Sequence, residues 1–270
     1  MPEGDTIFRA ATALRKAVEG ARVVRFRSER LEARPPLEGQ LIALIEARGK
    51  NLIVHFEDGR ALRTHMKMTG SWHLYRSGEK WQKPGWQARV AIVADNGFEI
   101  VCFNAPVVEL LSAGQLLAEL GSLGPDATTD HFDAAEALQR LRALAETPIG
   151  EALLDQRALA GLGNVIKSEV LFIERQDPFR PVSALSDEQL GKLIAEGHRV
   201  LVRNRAGGPR VTRESLDGER HWVYGRSGKP CRVCGAPIEL RRQGAQGRST
   251  YYCPRCQCGA PPLSTASHSE

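Results

Sequence analysis

No stretch of eighteen apolar residues occurs anywhere in the sequence, so there is no candidate for a membrane-spanning helix. The N-terminus lacks the basic-then-apolar pattern of a secretory signal, and the chain reads as soluble and intracellular, with no membrane partner. There is no internal repeat. The seven histidines are scattered without the spacing of metal ligands, and none is assigned chemistry. Acidic residues are scarce in one region only. Between Arg199 and Arg255 thirteen Arg or Lys stand against four acids, a surplus of nine in a chain of net charge +5, which leaves −4 for the rest. A strongly basic third on a mildly acidic body is the electrostatic footprint of a polyanion binder. A merely solvated charged face would not account for so few acids.

What is present divides in two. With 270 residues, 42% of them apolar, the chain can bury a sizeable core and has room for two domains plus a small appendage. The first half reads mostly as strand: "ARVVRFRS", "NLIVHFEDGRALRTHM" and "ARVAIVADNGFEIVCF" are β-rich runs, the latter two broken by Asp-Gly and Asn-Gly hairpin signals. From about Ser112 the texture turns helical in "SAGQLLAEL", "AAEALQRLRALAE" and "SDEQLGKLIAEGHRVLVRN", with "GSLGPDATTD" as a linker. A Gly- and Arg-rich stretch then leads to the cysteines. The tail "GAPPLSTASHSE" has nothing to bury and is expected to be disordered.

Four of the six cysteines stand as Cys231-x2-Cys234, eighteen residues, then Cys253-x2-Cys256. Each Cys-x-x-Cys knuckle can supply two ligands of a tetrahedral four-thiolate zinc site, and the hairpin between them is too small to fold without the metal. Two disulfides are the alternative, disfavoured in an intracellular chain. Cys258 is read as a spare thiol and Cys102, in an apolar strand, as a core residue. Arg241, Arg242 and Arg248 lie on the hairpin, where guanidinium groups could reach phosphates bidentately.

The opening, "MPEGDT", raises a separate possibility. Removal of Met1 would leave Pro2 as a free secondary amine beside the carboxylate of Glu3. Asp5 or Thr6 could equally be the cap of a helix whose apolar residues Ile7, Ala11, Leu14 and Val18 recur every three or four positions. Three further stretches decide between these readings. "RGKNLI", "LAGLGNVIKSEVLF" and "GRSTYYCPRCQ" follow in that order, and with "MPEGDT" they closely resemble the formamidopyrimidine-DNA glycosylase and endonuclease VIII family of base-excision repair enzymes. The resemblance runs from Pro2 to about Gln257.

The resemblance implies an α+β architecture: a two-layer β-sandwich over 1–121, a helical domain with a helix–two-turn–helix element over 122–222, and a zinc-ribbon hairpin over 223–258. It implies one structural zinc, a bifunctional DNA glycosylase and AP lyase, and damaged double-stranded DNA as partner of a monomer, in a cytoplasmic bacterial protein held at the nucleoid by its DNA. By the same resemblance Pro2 is the nucleophile at C1′, Glu3 the neighbouring acid and base, and Lys50 a lysine assisting β-elimination. Asn164 and Arg248 hold the DNA backbone at the lesion, Arg248 also assisting δ-elimination, while Met68 is an apolar wedge between bases beside Lys67. A free α-amine titrates near 7.7–8.0, against about 10.4 for an ordinary lysine, so Lys50 is expected to begin mostly protonated. Gly161 and Gly163 of "GLGN" suit a tight turn whose N–H groups could meet phosphate at a helix start.

Departures from the family pattern point to a branch. "FNAPVVELL" has no arginine and no aromatic residue near Val107, where the formamidopyrimidine branch carries an Arg-Arg-Phe motif. The segment after Gly208 looks short of that branch's capping loop. Both features resemble the endonuclease VIII branch and imply oxidised pyrimidines as substrates. Lys67 and Thr69 replace the Gln and Tyr often found beside the wedge, Thr6 replaces a Glu, and Ser122 replaces an arginine. At this level two alternatives stay open: an enzyme favouring 8-oxoguanine, and a non-catalytic damaged-DNA-binding protein.

Overall fold

The computed structural model describes residues 2–259 apart from 32, 34 and 216, so the tail expected to be disordered, 259–270, lies outside the described residues except for Gly259, which caps the last helix. The chain opens with α1 (Gly4–Val18), whose residues Ile7, Ala11, Leu14 and Val18 are all buried, as their spacing requires. Neither Asp5 nor Thr6 caps it. Glu3 stands at the N-cap position without a side-chain cap bond, and Asp5 lies inside the first turn. The reason is a distant partner: the buried Asp5 carboxylate accepts hydrogen bonds from the guanidinium of Arg210, one of them from Nε at 2.7 Å.

Two antiparallel sheets follow. One is ordered β1 (Val23–Arg27), β6 (Ala88–Ala94), β7 (Phe98–Phe103), β5 (Ser71–Arg76), and the other β2 (Ile42–Arg48), β3 (Asn51–Phe56), β4 (Ala61–His65), β8 (Val107–Leu111). Asp58-Gly59 and Asn96-Gly97 turn the hairpins β3–β4 and β6–β7, the glycines taking φ of 87° and 81°. The core, between the sheets and under α1, is built from residues such as Leu14, Ile45, Leu52, Ile92 and Ile100. Cys102 is buried in it, as expected, and burial pushes its thiol up to about 12.

Helix α2 (Ala113–Leu120), with a Ser112/Gln115 capping box, packs on β4 and β8. Helices α3 (Ala134–Arg142), α4 (Ile149–Ala152), α5 (Asn164–Ile173) and α6 (Asp187–Arg203) enclose a second core around Leu141, Ile166, Leu190 and Leu201. The antiparallel hairpin β9 (Glu239–Gln243) and β10 (Arg248–Tyr252), followed by α7 (Pro254–Cys258), closes the described chain. The architecture is the α+β arrangement expected, with sandwich, helices and cysteine-bearing hairpin in sequence. Among the described residues no helix is long and apolar enough to cross a membrane.

Helix α5 holds these parts together. Asn164 through Phe172 are all buried, four polar side chains among them. A buried polar group needs a partner, and each of three finds one outside the helix. Asn164 and Lys167 bond strand β10, while the fully buried Glu169 accepts the backbone N–H groups of Trp222 (2.7 Å), Val223 (2.8 Å) and Tyr224 (2.8 Å).

Candidate nucleic-acid interface and active site

A cavity of about 690 Å³ opens where the sandwich, the start of α5 and the β9–β10 hairpin meet. Pro2, Lys50, Lys67, Met68, Asn164 and Arg248 all line it, drawn from sequence positions nearly 250 residues apart. Glu3 lies beneath, fully buried. Its carboxylate accepts the N–H of Val165 at 2.7 Å and of Ile166 at 3.3 Å, and Arg210 approaches it at 3.8 Å. The helix dipole and these two free amides favour an anion here. The amides expected to meet a DNA phosphate are therefore taken by Glu3. Gly163 permits this, because a Cβ there would lie 2.2 Å from Glu3 Cδ. Gly161 takes φ 97°, and its carbonyl accepts the Gly4 N–H at 2.9 Å, so the "GLGN" turn clamps the N-terminus rather than a phosphate.

Lys50 sits in the β2–β3 turn, where Gly49 (φ 58°) donates its N–H to Asp126 Oδ2 at 2.5 Å. Burial pushes the Lys50 ammonium down to about 8, opposed by Glu3 and reinforced by Arg248 and Arg210. Desolvation thus brings Lys50 level with an unperturbed α-amine, and at neutral pH it is still mostly protonated. Met68 is 68% exposed on the loop between β4 and β5, while Met66 is buried; Met68 is no strand-end core residue. Lys67 has φ 43° and donates its N–H to His65 Nδ1 at 3.1 Å. Asn164 Nδ2 donates to the Ser249 carbonyl at 2.7 Å. Arg248 donates from Nε and Nη2 to Gln246 Oε1, at 3.1 and 2.8 Å. The other two hairpin arginines do not line the cavity. Arg241 lies over the Phe179 and Tyr252 rings and Arg242 bonds Gly247.

Sequence reasoning missed three residues. His65 lines the cavity, and burial, with Lys50, Arg63 and Lys67 nearby, pushes it down to about 4, so it is neutral and can accept at Nδ1. Lys167 also lines the cavity, one helical turn after Asn164. Its Nζ donates to Thr250 Oγ1 at 2.7 Å, and burial pushes it down to about 7 against the pull of Glu3 and Glu151. The i, i+3 spacing from Asn164 was a legible signal for a shared face. Arg210 had none, since its partners are about two hundred residues away. The basic third is also less free than its charge count suggests. Arg199, Arg203, Arg205, Arg210, Arg213 and Arg232 all pair with acids, several of them outside the segment.

The Sγ atoms of Cys231, Cys234, Cys253 and Cys256 lie within 4.8 Å of one another, with Cys234–Cys253 at 3.4 Å and Cys231–Cys256 at 3.9 Å. Zinc–sulfur bonds of about 2.3 Å in a tetrahedron place sulfurs about 3.8 Å apart, so the cluster fits one structural zinc. Cys258 is exposed and outside it, a spare thiol as read from the sequence.

Three family models match successive parts of the chain: the formamidopyrimidine-DNA glycosylase N-terminal domain over 1–106, its H2TH domain over 123–212, and the zinc finger found in FPG and IleRS over 228–257. A probable endonuclease 8 2 of Streptomyces coelicolor is 38% identical, over 97% of this chain and 96% of that one. A DNA-(apurinic or apyrimidinic site) lyase Nei2 of Mycolicibacterium smegmatis is 35% identical, over 95% and 99%. Among solved structures, MutM in complex with DNA containing carbocyclic 8-oxo-G superposes with a TM-score of 0.80 at 25% identity, covering 95% of this chain and 99% of that one. MutM of Thermus thermophilus gives 0.77 at 29%, over 96% and 100%. The chain belongs to the formamidopyrimidine-DNA glycosylase family of DNA-repair glycosylases and AP lyases, and fits its endonuclease VIII branch.

Proposed function

We propose that this protein removes oxidised bases, pyrimidines above all, from damaged duplex DNA through a Schiff base on Pro2, then cuts the strand by β- and δ-elimination. It acts as a monomer at the bacterial nucleoid. Residues 1–121 carry the nucleophile, 122–222 grip the DNA, and 223–258 present Arg248. The observation that carries the proposal is the convergence of Pro2, Lys50, Asn164 and Arg248 on one cavity, with buried Glu3 adjoining Pro2.

With Met1 removed, Pro2 is a secondary amine of which a useful fraction is neutral at physiological pH. Its nitrogen attacks C1′ of the flipped nucleotide, the base departs, and the sugar ring opens as O4′ takes a proton. Glu3 is the nearby group that shuttles this proton. The product is an iminium ion, and its fixed positive charge is the electron sink for eliminating the phosphates on either side. A primary amine such as Lys50 gives a neutral imine that must be protonated first, and this, rather than the protonation state of Lys50, makes Pro2 the better nucleophile. Lys50, near its titration point, assists β-elimination by exchanging protons. Asn164 and Arg248 hold phosphates, and Met68 with Lys67 fills the gap left by the extruded base.

The preference for pyrimidines is supported by the segment 207–224, of which no described residue lines the cavity. Thr212 and Arg213 fold back onto the Arg220 carbonyl, and Glu169 fixes the amides of Trp222, Val223 and Tyr224. Borohydride trapping tests the reading. A covalent complex should form with abasic DNA and with thymine glycol duplexes faster than with 8-oxoguanine opposite cytosine, and protein retaining Met1 should form none. Native-rate nicking of abasic DNA by Pro2-blocked protein would refute the mechanism; faster excision of 8-oxoguanine would refute the preference.

A further inference from the structure

Arg210 is anchored on both flanks before its side chain reaches the site. The turn before it is fixed by Arg9, whose Nη1 donates to the Gly208 carbonyl. After it, the Val211 N–H donates to Asn204 Oδ1 at 2.7 Å, and Asn204 Nδ2 donates back to the Val211 carbonyl at 2.9 Å. Thr212 Oγ1 then donates to the buried carboxylate of Glu169. Between these anchors the guanidinium forks onto Asp5, from Nε to Oδ2 at 2.7 Å and from Nη2 to Oδ1. Nη2 also donates to Thr6 Oγ1 at 3.1 Å. The fork turns Nη1 toward Glu3 Oε2, 3.8 Å away.

Glu3 and Asp5 are both fully buried, and the Arg210 side chain is only 10% exposed. Two carboxylates taken out of water together need a cation between them. Burial opposes the charge on Arg210, but Glu3 and Asp5 outweigh it and hold the guanidinium above its usual range. Lys50 and Lys167 also act on Glu3, yet both line the cavity, where phosphates of bound DNA would compete for them. Arg210 does not line it and is committed to the carboxylates. It also approaches the oxygen that the helix holds less closely. Oε2 is 3.3 Å from the Ile166 nitrogen, whereas Oε1 is 2.7 Å from that of Val165.

We propose that Arg210, aimed by Asp5, is a positioning residue that fixes the Glu3 carboxylate for opening of the sugar ring. The proposal rests on the function proposed above. In that step the proton given up by the Pro2 nitrogen passes through Glu3 to O4′, while the C1′–O4′ bond breaks and leaves its electron pair on oxygen. A preformed abasic sugar opens to its aldehyde without an enzyme, so its capture asks less of Glu3. The test compares single-turnover borohydride trapping on two duplexes. One carries the oxidised base that wild type removes fastest, and the other a preformed abasic site. Arg210→Met should slow trapping from the oxidised base about tenfold, part of the roughly 10²–10⁴ that a positioned acid–base group supplies. Trapping from abasic DNA should change far less, and affinity for a tetrahydrofuran duplex should stay at the wild-type value. Arg210→Lys should recover part of the lost rate, since an amine keeps the charge but cannot make the fork. Arg210→Met should also melt lower, because it strands two buried carboxylates. Asp5→Asn keeps the cation and an acceptor for it, so it carries the test if Arg210→Met does not fold, and should show the same selective slowing. Native-rate trapping from the oxidised base in the folded variants would overturn the assignment. So would equal slowing on both duplexes, the mark of a clasp that only holds the fold. If wild type traps neither duplex, the proposed function itself falls, and this assignment with it.

Discussion

Replacing Gly163 with alanine isolates the contact on which the site is built. Gly163 has φ −125° and ψ −171°, extended backbone that alanine adopts freely, so any effect comes from the added methyl group. That methyl would lie 2.2 Å from Glu3 Cδ and 2.4 Å from Oε1. Glu3 is fully buried and cannot swing into solvent, so its carboxylate must leave the amides of Val165 and Ile166. Hydrogen bonds to a charged group are worth about 1.5–3 kcal/mol each, and partial rearrangement recovers some of that, giving a net loss of about 2–4 kcal/mol. At about 2–4 °C per kcal/mol for a chain of this size, the melting temperature should fall by roughly 5–15 °C. Gly191→Ala is the control. It lies within α6 with nothing within 4 Å of its added methyl, and helix propensity predicts a gain of about 1 kcal/mol. Scanning calorimetry and borohydride trapping read the two consequences. Gly163→Ala should lose stability and, with Glu3 displaced, nearly all covalent trapping. A variant that melts with wild type and traps at the native rate would show that Glu3 is neither confined nor needed where it is, and the account of the site would fail.

Chelation or Cys253→Ser should release one zinc per chain and abolish DNA binding through loss of the Arg248 hairpin, as metal analysis and gel shifts would show; active protein without stoichiometric zinc would refute the site. Arg248→Ala and Asn164→Ala should each weaken binding regardless of lesion. Only Arg248→Ala should lower the salt slope, by about one, and an unchanged slope would contradict its phosphate contact. Lys167 should make stability depend on pH. Its amine loses the proton near 7 when folded and near 10.5 when unfolded, so between those values the unfolded chain binds more protons and stability rises with pH. Lys167→Met should flatten that rise in chemical denaturation measured from pH 7 to 10, with Thr250 keeping its bond to Gln243. An identical pH profile would show that Lys167 stays charged in the fold.

Short-range patterns carried most of the architecture. The buried stripe of α1, the Asp58-Gly59 and Asn96-Gly97 hairpins and the four zinc cysteines are local, since period, turn chemistry and ligand spacing involve residues within one element or knuckle. The stretches around Pro2, Lys50, Asn164 and Arg248 were legible as a set, though not as a place. Only the tertiary structure decided that Glu3, rather than a phosphate, occupies the amides at the start of α5, because that depends on a missing Cβ at Gly163 some 160 residues away. It also decided that Asp5 binds Arg210 instead of capping its own helix, and that about half of the cations in the basic third are held in ion pairs. A charge count sums residues without regard to partners. Burial lowered Lys50 and Lys167 to about 8 and 7, and burial is a property of everything packed around an amine.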